Sequence, residues 1–188
     1  APYVPGASAL SGAGRVIKIS ANEGALGPSP RAVAAYRKVA RHLHRYPDGD
    51  ATGLREAIGR RHGLDPARLV CGAGSDEILY NLARGFAGPG DEVLIPSHTY
   101  MATALAVISA GAIPVIVDID ETITISPEAV NDAVGPRTKA VIPVHMWGAA
   151  CNMNAIMAIA REKKLLVLED ACQGVGGAYE GRMLGSIG

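Results

Sequence analysis

The sequence predicts an α/β fold: a three-layer α/β/α arrangement around a mostly parallel sheet, preceded by an N-terminal arm. Two observations carry that expectation. Short apolar runs at 68–72, 91–96, 113–119, 139–145 and 165–170 alternate with helical patterns at 75–86, 99–110, 126–134 and 152–163. Apolar strands separated by amphipathic helices are the pattern of a parallel sheet covered on both faces. The second observation is size: 188 residues with 48% hydrophobic content allow one domain with a sizeable core. That core is aliphatic, because the chain has one Phe, one Trp and six Tyr.

Taken in order, residues 1–30 are rich in Gly, Pro, Ser and Ala, show no sustained period, and read as an arm. From Pro30 to about His44 apolar positions recur at helical spacing, with Ser29 placed to cap and Pro30 suited to the first turn. "YPDGD" is a turn, and a second helix is expected from Thr52 to Gly63. The strand–helix alternation then runs to the end. This divides the chain into an arm with its helix, residues 1–50, and a partial large domain, residues 51–188.

Charge and cysteines narrow the function classes. Eighteen basic residues balance eighteen acidic ones, so no overall field points to nucleic acid or an anionic membrane. Cys71, Cys151 and Cys172 form no CxxC or Cys/His ligand spacing, which argues against a disulfide framework or a zinc site and for a reduced cytosol. The N-terminus has no basic segment leading into an apolar core, so no signal peptide is expected. The most apolar stretch, 101–117, is interrupted by Gly111 and Pro114 and divides into helix and strand rather than a membrane span.

Ligands of parallel sheets bind beyond the carboxyl ends of the strands, so the residues after each strand are the candidates. After 68–72 comes "CGAGSDEIL". Gly74, Ser75 and Asp76 would offer backbone N–H groups at a helix start to a phosphate, or would simply make a tight turn and a cap. Glu77 stands where a dinucleotide fingerprint needs its third glycine, and no Gly-Lys-Ser/Thr follows. After 91–96 come His98 and Tyr100, a ring able to stack on a flat ligand or to pack. Asp118 and Asp120 follow the next strand and are expected as solvated turn residues. His145 and Trp147 follow 139–145, and His145 fits either a ligand or the packing of a strand end. Last comes Asp170, an acid at the end of a buried strand, which wants a cation or several donors, with Gln173 three residues on. A phosphate cradle, a stacking ring and a buried acid together suit a flat, phosphorylated, cationic heteroaromatic. Pyridoxal 5′-phosphate is such a ligand.

The same residues carry a family resemblance. Residues 1–92, including "VIKISANEGALGPSPRAVAAYR" and "LHRYPDGDATGLREAIGRRHGLDPARLVCGAGSDEILYNLARGFAGPGDEV", resemble histidinol-phosphate aminotransferases. Residues 88–188, including "GPGDEVLIPSHTYMATALAVISAGAIPVIVDID" and "VLEDACQGVGGAYEGRMLGSIG", are similar to the DegT/DnrJ/EryC1/StrS sugar aminotransferases. Both are fold type I pyridoxal-phosphate families, and the resemblance changes at "GPGDEV", which reads as a chimera of two related families. The resemblance implies amino transfer from an amino acid donor to a phosphorylated keto compound, in a cytoplasmic homodimer. It also implies roles: Gly74, Ser75 and Asp76 on the cofactor phosphate, Tyr100 stacked on the ring, Asp170 at the ring nitrogen and Gln173 near the ring 3-oxygen. Tyr46 would reach the partner subunit's cofactor phosphate, while Asn22 and Glu23 would face substrate.

The sequence departs from both patterns. "PVHMWGAAC" stands where the first family has an "NPNNPTG"-like segment, so that family's cofactor-contacting asparagine has no match. The second family's "SF…K" segment, with the lysine that carries the cofactor, is not among these 188 residues, and neither is the small C-terminal domain. Lys163 and Lys164 end a helix before the last strand and are not expected to substitute. The expectation is a chain that holds the cofactor weakly and does not turn over alone. Two rival readings are a non-catalytic scaffold with the cofactor fold, and a nucleotide-binding α/β protein using "CGAGSDE".

Overall fold

The computed structural model describes Gly24 and residues 26–188; Asn22 and Glu23 lie outside the described residues. The chain divides into two compact units between Ala51 and Thr52. In the first, helix α1 (Pro30–Val39) starts as its sequence requires. Pro30 fills the first turn, and Ser29 Oγ accepts the Ala32 N–H at 3.1 Å. One 3₁₀ turn, Ala40–His42, follows it.

The second unit holds a parallel four-stranded sheet of order β2-β1-β3-β4: β1 is Glu92–Pro96, β2 Ile113–Val117, β3 Thr138–Val141 and β4 Leu166–Val167. Its helices are α2 (Thr52–His62), α3 (Ser75–Phe86), α4 (Met101–Ser109), α5 (Pro127–Ala133) and α6 (Met153–Lys163). Alternation along β1 sorts the core onto two faces. Val93 and Ile95 pack with Val107 of α4 and with Ile142, while Leu79 and Ala83 of α3 meet Ala106 of α4. Leu94 packs on the other face with Val130 of α5 and Met153 and Ile156 of α6. Helices therefore cover both faces, and the three-layer expectation holds. Among the described residues no helix is long and apolar enough to cross a membrane, and 101–117 is α4 followed by β2.

Three details differ from the sequence expectation. Residues 68–72 form no strand: a 3₁₀ turn at Pro66–Arg68 leads into irregular backbone, and Val70 is 76% exposed. An apolar run becomes a strand only where a neighbouring strand takes its N–H and C=O groups, and no described strand pairs with this one. The runs 139–145 and 165–170 shorten to β3 and β4 because Pro143 has no N–H to continue the ladder. Isolated bonds carry the alignment onward, from the Asp170 N–H to the Pro143 carbonyl and from the His145 N–H to the Asp170 carbonyl. Finally, a short hairpin of β5 (Ala178–Tyr179) and β6 (Arg182–Met183) follows, turning at Glu180 and Gly181, both with positive φ.

Candidate functional site

The loop before α3 is shaped by two local features. Gly74 has φ +117°, a backbone that L side chains rarely adopt, and the Ala73 N–H donates to Glu77 Oε2 at 2.6 Å, closing the turn. Because Gly74 occupies the cap position, no side chain caps the N–H groups of the first turn. A twelve-residue helix thus begins with its donors open at Ser75 and Asp76, both exposed.

Asp170 ends the β4 line and is 8% exposed. Its Oδ1 accepts the Cys172 N–H at 3.1 Å. The Cys172 side chain lies two residues beyond that acid. Burial and then the Asp170 carboxylate push this thiol up to about 11. On the next residue, Gln173 Oε1 accepts the Trp147 N–H at 2.9 Å, and the Trp147 ring meets His98 edge-on at 4.9 Å. Tyr100, 54% exposed, stands at the cap position of α4. The structure thus links Gln173, Trp147 and His98 through contacts, with Asp170 bonded to the Cys172 N–H at the carboxyl end of the sheet.

Tyr46 is fully exposed and belongs to the first unit. Asp120 Oδ1 accepts the Thr122 N–H at 2.9 Å, as a turn residue does. Lys163 and Lys164 sit before β4, at the opposite end of that strand from Asp170.

Sequence reasoning missed Glu169. Both its oxygens are committed: Oε1 accepts from His145 Nε2 at 2.9 Å and Gly185 N at 2.7 Å, and Oε2 from Ile187 N at 2.7 Å and Gly188 N at 2.8 Å. His145 is fully buried and belongs to this network rather than to a ligand surface. The signal was the pair "ED": consecutive strand residues point to opposite faces, so only one of the two acids could face the loop side with Gln173.

Comparison with known proteins now decides the family. The DegT/DnrJ/EryC1/StrS aminotransferase family matches residues 52–188. The chain belongs to that family. A histidinol-phosphate aminotransferase of Paramagnetospirillum magneticum is 46% identical over 176 residues, covering 90% of this chain and 48% of that protein. One from Rhodospirillum centenum is 50% identical over 141 residues, covering 75% and 39%. Among solved structures, a DegT/DnrJ/EryC1/StrS aminotransferase from Brucella abortus is 33% identical with a TM-score of 0.71, covering 82% of this chain and 43% of that one. The aminotransferase TlmJ from Streptoalloteichus hindustanus is 28% identical with a TM-score of 0.74, covering 86% and 45%. The chain spans about half the length of the relatives it matches, or less. The family match and the Paramagnetospirillum alignment both run through "GPGDEV", so a chimeric junction there is not required.

Proposed function

We propose that this chain forms the cofactor bed of a pyridoxal-phosphate-dependent aminotransferase, which moves an amino group from an amino acid donor to a phosphorylated keto compound. The observation that carries the reading is the buried Asp170 carboxylate at the carboxyl end of the parallel sheet, together with the N-terminus of α3, which no side chain caps. The donor set fits the group. The backbone of Gly74, Ser75 and Asp76 holds the phosphate by N–H groups and helix dipole, through Asp76's main chain rather than its carboxylate. Asp170 pairs with the ring nitrogen, Gln173 addresses the ring 3-oxygen, and Tyr100 lies on the ring face. When bound, the cofactor supplies an electron sink for amino transfer.

Asn22 and Glu23 face the substrate in this reading, and Tyr46 reaches the cofactor phosphate of a second subunit, so the working form is a homodimer. The protein works in the cytoplasm, consistent with three free cysteines. The 46% identity over most of the chain favours a histidinol-phosphate type of substrate. The family match and the sugar-aminotransferase resemblance favour a keto-sugar nucleotide as the second reading.

Titration with pyridoxamine 5′-phosphate, which carries the same phosphate, ring nitrogen and 3-oxygen, tests the bed directly. Saturable absorbance changes are expected in the 188-residue chain, weakened at least about tenfold by Asp170→Ala through loss of a charge-assisted bond. A folded sample showing no binding would instead favour the scaffold reading.

A further inference from the structure

Trp147 has φ +52° and ψ +24°, a left-handed backbone that a bulky residue rarely takes. The indole is 67% exposed, so core packing does not explain the conformation. Such outliers persist where the surroundings over-determine them, often at functional sites. Here the left-handed turn sends the Trp147 N–H onto Gln173 Oε1 at 2.9 Å. That bond settles which end of the amide is which: a flipped amide would set its NH₂ against the Trp147 N–H, donor against donor. Among the described residues the Gln173 NH₂ donates to no protein group. The amide is thus held by its oxygen with its donor end unclaimed.

We propose that Trp147 is a positioning residue whose backbone N–H fixes the Gln173 amide, so that Gln173 meets the cofactor's 3-oxygen as a donor and holds it as an anion. This rests on the Gln173 reading above. A carboxylate or a freely turning amide would not discriminate in this way; an amide pinned by its oxygen offers only N–H. The indole itself is secondary: it rests edge-on against His98, while the main chain does the positioning.

The variants Trp147→Val and Trp147→Asn separate backbone from ring. Valine resists the left-handed region and asparagine accepts it, and both remove the indole. The probe is pyridoxamine 5′-phosphate bound to the full 188-residue chain, and the readout is the spectroscopic pKa of its 3-hydroxyl. Trp147→Val is expected to raise that pKa by about one unit, as loss of one donor to the anion should, while Trp147→Asn leaves it within a few tenths of wild type. No shift in Trp147→Val, or equal shifts in both variants, overturns the inference. Should Trp147→Val not fold, Trp147→Ile, β-branched as well, takes its place, and Trp147→Asn still overturns the inference if it shifts the pKa as far as Gln173→Ala does. Gln173→Ala checks the underlying reading separately: if it leaves the pKa unmoved while the probe binds, Gln173 does not address the 3-oxygen, whatever Trp147 does.

Discussion

His145 and Glu169 meet inside the second unit, Nε2 donating to Oε1 at 2.9 Å with both side chains sealed from solvent. Glu169 also collects the N–H groups of Gly185, Ile187 and Gly188, so one carboxylate ties the end of the described chain to the end of β4. Burial alone would raise its pKa. The His145 bond and the three backbone donors outweigh burial and bring it from 4.5 to about 2.

The sign of the resulting pH dependence follows from that depression. Glu169 stabilises the fold fully above about 4.5, and its contribution fades as pH falls toward about 2. The shift corresponds to on the order of 3 kcal/mol. Glu169→Ala removes the shared acceptor of four donors, two of them on the exposed residues Gly185 and Gly188 where water can replace it, and should cost about 1–3 kcal/mol at pH 7. Urea unfolding at pH 7 and at pH 3 checks both points. The wild type should lose more stability than the variant between the two, and parallel losses would count against Glu169 as the origin.

The charge state of His145 is a second prediction. Burial disfavours the charged ring, while hydrogen bonding with Cys151 and Glu169 pulls its pKa upward. Geometry opposes that pull, because Nδ1 already accepts the Cys151 N–H at 3.1 Å and a second ring proton would have to break this bond. The geometry decides for the neutral ring with its proton on Nε2. Nitrogen NMR of the imidazole at pH 7 should show one protonated and one bare nitrogen. Two protonated nitrogens would mean that the turn from His145 to Cys151 rearranges.

What the sequence made legible was local. The helix expected at 75–86 forms with those bounds, and α5 and α6 begin at the caps Ser126 and Asn152, because cap and period are written within a few residues. What stayed hidden depends on distant partners. The run 68–72 looks like a strand but lacks a neighbour to pair with. Glu169 is as acidic as Asp170 on paper, and only the return of Gly185–Gly188 shows why it is buried. The left-handed Trp147 carries no local signature either, since Trp is not a residue that sequence reasoning places at positive φ; the Gly148 after it was the faint hint.

Gly74 offers a third test. Nothing crowds the position where its Cβ would stand, so the obstacle to Gly74→Ala is the φ of +117° alone. The substitution should destabilise the chain by about 1–2 kcal/mol, read by thermal or urea unfolding. Moving the backbone also turns the Ser75 and Asp76 N–H groups away from a bound phosphate, so affinity for pyridoxamine 5′-phosphate should fall roughly tenfold or more. Unchanged affinity with reduced stability would remove this loop from the phosphate site.

Cys172 gives the last prediction, a chemical one. As a residue it is exposed, yet burial of its sulfur and the carboxylate of Asp170, two residues away, push the thiol up from 9.0 to about 11. Thiolate is the reactive form, so at pH 8 Cys172 should alkylate about a hundredfold more slowly than an unperturbed cysteine. Iodoacetamide labelling followed by peptide mapping reads this directly, with Cys71, half-buried, as the internal comparison. Asp170→Asn removes the negative charge that suppresses the thiolate and should speed Cys172 labelling while leaving Cys71 unchanged. Equal labelling of Cys172 in wild type and variant would remove the Asp170 charge as the cause of the slow reaction.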